Sequence, residues 1–286
     1  MTRLVGGLSE IAPGYDVLLC DVWGVIHNGR ETFPLACAAL ARWRRERGPV
    51  VLISNSPRPW RAVVDQIDDL GVPREAWSSV VTSGDATRAL LAARAPGPAW
   101  RIGPGRDDPL YAGLGLTFAP LEQANFIACT GPDDDENETA LDYRQRLGRA
   151  AERGLEMVCA NPDKVVQRGD RLIICGGALA ELYQTLGGEV RMAGKPWPPI
   201  YDLALARAAA DRGDAVDRLR VLAIGDGMAT DITGANRQDL DALFIAGGIH
   251  GADELIDEGG LALAAVEHML AENDARARFS MLALIW

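Results

Sequence analysis

Four short segments carry the residues able to do chemistry: Asp21-Val22-Trp23-Gly24-Val25, Ser54-Asn55-Ser56, Gly194-Lys195-Pro196 and Gly225-Asp226-Gly227-Met228-Ala229-Thr230-Asp231. In order they offer a carboxylate, a hydroxyl with turn amides, a fixed cation, and two further carboxylates. An acid such as Asp21 serves as a nucleophile, a metal ligand or both. A hard cation such as Mg²⁺ takes oxygen ligands, and few of them come from protein carboxylates when waters and a substrate phosphate are also bound. Asp21 and Asp226 suit that role, leaving Lys195 and the amides near Ser54 to hold the other phosphoryl oxygens. Phosphoryl transfer depends mainly on such positioning and charge neutralisation.

The elements around these segments explain how they would meet. The apolar run from Tyr15 to Cys20 reads as a strand buried on both faces, as in a parallel sheet, and it ends at Asp21. Ligands of open α/β sheets gather outside the carboxyl ends of strands, which is where Asp21 would stand. Pro49–Ser54, Val80–Ser83, Leu219–Ile224 and Ala242–Ala246 repeat the strand pattern. Helices are expected over 33–47, with a basic C-terminal segment from Arg42 to Arg47, and over Trp60–Leu70. From about Ala95 the texture becomes Pro- and Gly-rich, and a fresh series of strands follows at Phe126–Cys129, Met157–Ala160 and Leu172–Cys175. Helical segments near 138–152 and 178–186 separate them. This block reads as an inserted α/β domain, with the main sheet resuming after Val190.

With 286 residues, 48% hydrophobic and 24% charged, the chain has room for two modest globular domains. A formal net charge of −11 argues against general nucleic-acid or anionic-membrane binding, which needs a cationic face. It leaves open a small phosphorylated ligand held by local cations and a metal. The first residues lack the apolar core of a signal peptide, and no run approaches membrane-spanning length. The five cysteines form no Cys-x-x-Cys pair, so reduced thiols in a cytoplasmic enzyme are expected.

The ordered motifs, above all Gly-Asp-x-x-x-Thr-Asp downstream of Gly-Lys-Pro, resemble those of the haloacid dehalogenase-superfamily hydrolases. The resemblance is to subclass IIA, whose C2-type cap is inserted between the second and third motifs, and Cys159-Ala160-Asn161-Pro162-Asp163 also resembles that subclass. The group includes nitrophenyl, phosphoglycolate, pyridoxal phosphate, sugar and nucleotide phosphatases. The resemblance implies an α/β fold: a Rossmann-like parallel-sheet core from 1–95 and 191–286 carrying an α/β cap at 96–190. It implies Mg²⁺-dependent hydrolysis of a small phosphorylated metabolite through an aspartyl-phosphate on Asp21, a covalent intermediate that splits one hard step into two. Ser54 would hydrogen-bond the phosphoryl group with the backbone of Asn55 and Ser56, and Lys195 would neutralise charge. Asp21, Asp226 and the backbone carbonyl of Trp23 would ligate the metal, with Asp231 beside it or linked through water. Trp23, Gly24, Asn55, Ser56 and Lys195 are the expected substrate contacts. A homodimer through the cap is also implied.

Trp23 departs from the pattern. Phosphatases of this superfamily carry a second Asp there, which protonates the leaving group and later activates water. Indole does neither. Losing a general acid forfeits about 10²–10⁴-fold in rate. Three outcomes follow: another group supplies the proton, the substrate has an aryl- or enol-like leaving group, or the protein is a phosphometabolite-binding regulator with little turnover. Dehalogenases also lack the second Asp but need no metal, so the retained Asp226 and Asp231 argue against that chemistry. Transfer to an acceptor other than water stays open.

Each residue also has a bland reading. Asp21 caps a strand-end turn, Ser54 serves a turn, Lys195 lies on the surface, and Asp226 and Asp231 begin a helix where acids are favoured. His27, the nearest substitute proton donor, more readily orders the loop at Asn28-Gly29, and His250 and His268 read as structural. Gly103-Pro104-Gly105 reads as a loop, since it lacks the third glycine of a dinucleotide fingerprint. The acidic tract Asp133–Glu138 reads as solvated. It lacks the spacing of a calcium loop.

Overall fold

The computed structural model describes residues 1–286 apart from 169–170, 249–254 and 258–259, so His250 lies outside the described residues. Backbone packing divides the chain into two units. The first comprises Met1–Ser54, Val64–Val81 and Lys195–Trp286; the second comprises Asn55–Val63 and Thr82–Gly194. The architecture is α/β, with a Rossmann-like parallel-sheet core and an inserted α/β unit.

The core sheet has seven strands in the order Arg3–Leu4, Phe279–Met281, Asp241–Ile245, Val221–Gly225, Val17–Cys20, Val50–Ser54 and Ser79–Thr82. The successive pairs from Arg3–Leu4 to Val50–Ser54 are parallel. Val17–Cys20, Val50–Ser54 and Val221–Gly225 are buried along their whole length, as expected of strands covered on both faces. From Val17–Cys20 the chain moves outward through Val50–Ser54, whereas Val221–Gly225 pairs on its other side and leads outward the opposite way. Val17–Cys20 and Val221–Gly225 thus flank the point where strand order reverses, the position at which open α/β sheets bind ligands. Cys20 pairs with Ile224, so the residues that follow, Asp21 and Gly225-Asp226, leave the sheet side by side.

The helix Pro34–Glu46 begins at proline, whose missing N–H costs nothing in the first turn. It buries Ala36, Cys37, Ala39, Leu40 and Trp43, a single stripe at helical spacing. Arg44 and Arg45 stand in its last turn, where cations are favoured. The helix Pro198–Arg212 likewise starts on prolines and stops at Gly213, whose φ of 74° is the left-handed conformation glycine adopts without strain.

The second unit has its own four-stranded sheet, ordered Val190–Met192, Glu156–Cys159, Phe126–Cys129 and Ala99–Ile102, all parallel. Val190–Met192 therefore closes this inserted sheet, and the core sheet resumes only at Val221. The Arg191 guanidinium holds Glu156 of the neighbouring strand at 2.7 Å, which helps pin that edge. The strand expected at Leu172–Cys175 is Arg171–Ile174, and it pairs antiparallel with Val165–Arg168 outside the four-stranded sheet. Leu172 is largely exposed there, so its apolar side chain misled the pattern. Tyr143, Leu147, Leu179 and Tyr183 pack against Ile127, Met157 and Cys159 to form the unit's core. The helix Ser83–Ala92 belongs with this unit: Arg88 donates to the carbonyls of Leu110 at 2.6 Å and Ala112 at 2.8 Å.

The acidic tract is ion-paired within the second unit rather than merely solvated. Asp135 binds Arg106 and, at 3.1 Å, Arg168; Glu136 binds Arg168 and Arg171, both at 2.7 Å. Gly103 donates to Asp133 at 2.9 Å in a loop that opens a 3₁₀ turn, Gly105–Tyr111. All five cysteines are buried and unpaired. Among the described residues, no helix is long and apolar enough to cross a membrane.

Candidate active site

Asp21 is set by the sheet itself. Its N–H donates to Ile224 of the neighbouring strand at 2.8 Å, which fixes the backbone from which the carboxylate projects. Lys195 precedes the helix Pro198–Arg212 and is almost completely buried. Its Nζ lies 2.5 Å from Asp21 Oδ1 and 2.7 Å from Asp231 Oδ1. A lysine buried to this degree needs anionic partners, and these two provide them.

Asp226 and Asp231 are separated by one π-helical turn, Met228–Ile232, so a five-residue spacing returns the second acid toward the first. The Asp231 N–H donates to Gly227 O at 2.8 Å, and Gly227 N–H donates to Asp231 Oδ2 at 3.0 Å. Both Asp231 oxygens are therefore engaged, one by Lys195 and one by the turn. Asp231 thereby orients the lysine.

Glycines create the space for Asp226. A Cβ on Gly24, where φ is +79°, would fall 2.0 Å from Asp226 Oδ2, and one on Gly248 would fall 2.1 Å from the same oxygen. Any side chain at either position would displace the carboxylate. Gly24 was expected as a substrate contact, whereas Gly248 was not singled out from the sequence, although the Gly247-Gly248 doublet after a strand was the available signal.

Carboxylate oxygens of Asp21, Asp226 and Asp231 all lie within 4.8 Å of one another, and all three residues are buried. Burial pushes the Asp21 carboxyl well above the usual carboxylate range; Asp231 and Asp226 push it further, against the opposing pull of Lys195. The three buried acids gather a donor set made wholly of hard oxygens around one lysine. That donor set fits a divalent cation such as Mg²⁺.

Trp23 is half-buried and turns its ring onto its own loop. The indole meets the His27 imidazole edge-on, with centroids 4.9 Å apart, and a Cβ on Gly29 would strike Trp23 Cη2 at 2.3 Å. Gly24 N–H donates to His27 O at 2.9 Å and Ile26 N–H to Val22 O at 3.0 Å, closing the loop. His27 is fully buried and accepts the Gly29 N–H at Nδ1 over 2.9 Å. Burial pulls its pKa down to about 4. It is neutral at physiological pH and orders the loop, so it is no substitute acid.

The His27 shift has a measurable consequence. The unfolded chain binds the proton more readily than the native state, so the contribution of His27 to stability is present above pH 6.5. It is lost as pH falls through the window toward 4, to the extent of about 3 kcal/mol. Thermal unfolding followed from pH 7 to pH 4 should show a steeper fall for the parent than for His27→Gln. Parallel curves would refute this.

Ser54 ends the strand next to Asp21's and is buried. Asn55 and Ser56 begin the second unit, where Asn55 Nδ2 donates to Asp163 Oδ1 at 2.8 Å and Ser56 O accepts the Gly84 N–H at 3.0 Å. His268 is solvent-facing on the helix Leu263–Glu272, 3.4 Å from Glu272.

Comparison with known proteins agrees with the geometry. Residues 18–117 match the haloacid dehalogenase-like hydrolase family model, and 192–271 match a HAD-hydrolase-like model. A crystal structure of a haloacid dehalogenase-like hydrolase from Brucella suis 1330 is 45% identical, with a TM-score of 0.88, covering 99% of this chain and 100% of that one. D-glycerol 3-phosphate phosphatase from Mycobacterium tuberculosis is 28% identical over 254 residues, 86% of this chain and 67% of that protein. A glycerol phosphate phosphatase structure from the same organism, in complex with magnesium, is 26% identical with a TM-score of 0.63, covering 87% of this chain and 73% of that one. With the motif residues gathered at the carboxyl ends of a parallel sheet, the chain belongs to the haloacid dehalogenase-like hydrolases.

Proposed function

We propose that this protein is a Mg²⁺-dependent phosphatase that hydrolyses a small phosphate monoester, a sugar phosphate or similar phosphometabolite, through an aspartyl-phosphate on Asp21. The observation that carries this reading is the buried Lys195 bridging Asp21 and Asp231 beside Asp226. The phosphatase relatives support it. One of them acts on glycerol phosphate, which makes polyol phosphates the first esters to screen.

In this reading Asp21 and Asp226 would hold the metal, with the Trp23 carbonyl, and Asp231 steadies Lys195. The bound ion supplies positive charge that offsets charge on the phosphoryl oxygens. An Asp21 oxygen attacks phosphorus, and the P–O bond to the leaving group breaks. Lys195, the Ser54 hydroxyl and the Asn55 and Ser56 amides balance the spreading charge. Gly24 lets backbone and substrate approach closely. Water then cleaves the acyl-phosphate, returning Asp21 and inorganic phosphate. The same reading takes 96–190 as the cap domain and 1–95 with 191–286 as the core domain, with a homodimer formed through the cap. It places the protein in the cytoplasm, where the buried free thiols stay reduced.

Trp23 delivers no proton, so the leaving group departs as its anion. Phosphate release from substituted phenyl phosphates in Mg²⁺ should rise steeply as the parent phenol becomes more acidic, and cease with chelator. A rate indifferent to the phenol would refute the missing-acid argument. The same Trp23 favours the second reading, a phosphometabolite-binding protein with weak turnover. A Trp23→Asp variant assayed alongside separates the two. A large gain in turnover indicates a decayed acid site, and a loss shows that the indole belongs to a working one.

A further inference from the structure

The chemistry proposed above leaves Asn161-Pro162-Asp163 unused, yet this loop is built to present one carboxylate. Asp163 N–H donates to Asn161 Oδ1 at 3.2 Å, a side-chain turn that mimics a backbone one, and Pro162 between them stiffens it. The Asp163 carbonyl accepts the Gly177 N–H at 2.9 Å, in the first turn of the helix Gly176–Thr185. Gly177 packs so closely under the loop that a Cβ there would overlap the Pro162 carbonyl. The carboxylate itself accepts from Asn55 Nδ2 at 2.8 Å, across 108 residues of chain. Asn55 is 2% exposed, so its amide is oriented by neighbours and not by bulk water. A carboxylate only accepts, so the Asn55 NH₂ faces Asp163. Its amide oxygen faces Gly194, where a Cβ would come within 2.7 Å of it, and Gly194 is peptide-bonded to Lys195. Asn55 is likewise peptide-bonded to Ser54, whose strand lies beside the one that ends at Asp21.

We propose that Asp163 is a positioning residue, whose carboxylate fixes the Asn55 side chain and through it the Asn55 and Ser56 backbone amides that meet the phosphoryl group. The proposal rests on the phosphatase reading for what those amides do, and it adds a residue that acts through another. An Asn side chain at a turn competes with the backbone for local hydrogen bonds. Tying it to a charged acceptor, the stronger class of hydrogen bond, ends that competition and holds the amides where phosphoryl charge develops. The loop is preorganised for this, because its turn and its contact with Gly177 engage the Asp163 backbone rather than the carboxylate.

Orthovanadate, a mimic of the phosphoryl group in transfer, tests this by calorimetric titration in Mg²⁺, alongside kcat and KM for 4-nitrophenyl phosphate. Asp163→Ala should weaken vanadate binding and lower kcat together by about 10–100-fold, with KM within about threefold, the scale on which a misplaced contact acts. Asp163→Asn keeps an acceptor oxygen in the same place and should stay within about threefold of the parent in both. Asp163→Glu keeps the charge but moves the acceptor by a methylene, and should lose at least about fivefold. The contrast between Asn and Glu therefore decides the matter even if Asp163→Ala melts early. In an Asn55→Ala background, Asp163→Ala should change vanadate affinity by less than about twofold, because the residue acts through Asn55. Additive losses in that cycle, losses in Asp163→Asn equal to those in Asp163→Glu, or parental values in Asp163→Ala would each overturn the positioning role. A parent that binds vanadate but releases no phosphate overturns the phosphatase reading, while the affinity series still decides the role of Asp163. A parent that does neither overturns both.

Discussion

Asp21→Asn should abolish phosphate release, lowering turnover by about 10⁴–10⁶-fold, the scale on which removing a covalent nucleophile acts. The variant should nevertheless fold. In the metal-free protein Asp21 is one of three buried acids facing one lysine, and burial together with Asp231 raises its affinity for a proton. A raised carboxyl contributes stability when protonated and loses it as pH rises through its elevated range. Asn carries no charge, so the metal-free variant should be at least as stable as the parent at neutral pH, and its stability should not decline with pH in that range. The amide oxygen still accepts from Lys195. Phosphate release and thermal unfolding in chelator check the two halves together. Parental turnover would remove Asp21 as nucleophile, and a destabilised variant would contradict the electrostatic account.

Lys195→Met should damage both stability and catalysis. Lys195 satisfies Asp21 and Asp231 at 2.5 and 2.7 Å with almost no solvent nearby. Truncating one partner of a buried charge cluster costs about 3–5 kcal/mol, because the remaining charges stay buried and unpaired. Proton uptake by Asp21 sets the loss toward the lower figure. Mg²⁺ should raise the melting temperature more in the variant than in the parent, since the cation then offsets charge that the lysine no longer balances. Turnover should fall by about 10²–10³-fold, as when a preorganised charge-stabilising group is removed. Calorimetry with and without Mg²⁺ reads the first effect and phosphate release the second. A variant melting like the parent in chelator would place the lysine outside the energetics of the site.

Much of the fold was legible in the chain because it rests on local patterns. Val17–Cys20 is apolar throughout, Val50–Ser54 is apolar up to its terminal serine, and both lead into polar turns, so both their burial and their carboxyl ends could be read directly. Edges were harder. Val190–Met192 is short and only partly buried, and its membership of the inserted sheet is set by pairing with Glu156–Cys159 more than thirty residues earlier. Arg171–Ile174 looked like a sheet strand because Leu172 is apolar, yet that side chain faces outward in a hairpin. The acidic tract looked solvated because its arginine partners, Arg106, Arg168 and Arg171, lie about thirty residues away on either side.

The sequence by itself determined which residues were available for chemistry and in what order, because carboxylate, hydroxyl and amine carry their reactivity wherever they stand. It also determined the parallel α/β class, through continuous apolar strands followed by helices at fixed spacing. Only the tertiary structure decided that one buried amine spans Asp21 and Asp231, that Gly24 and Gly248 wedge Asp226 between them, and that His27 is too deeply buried to take up a second proton. Those properties arise from the register of strands remote in sequence and from the removal of water. Neither is a property of any single stretch of chain.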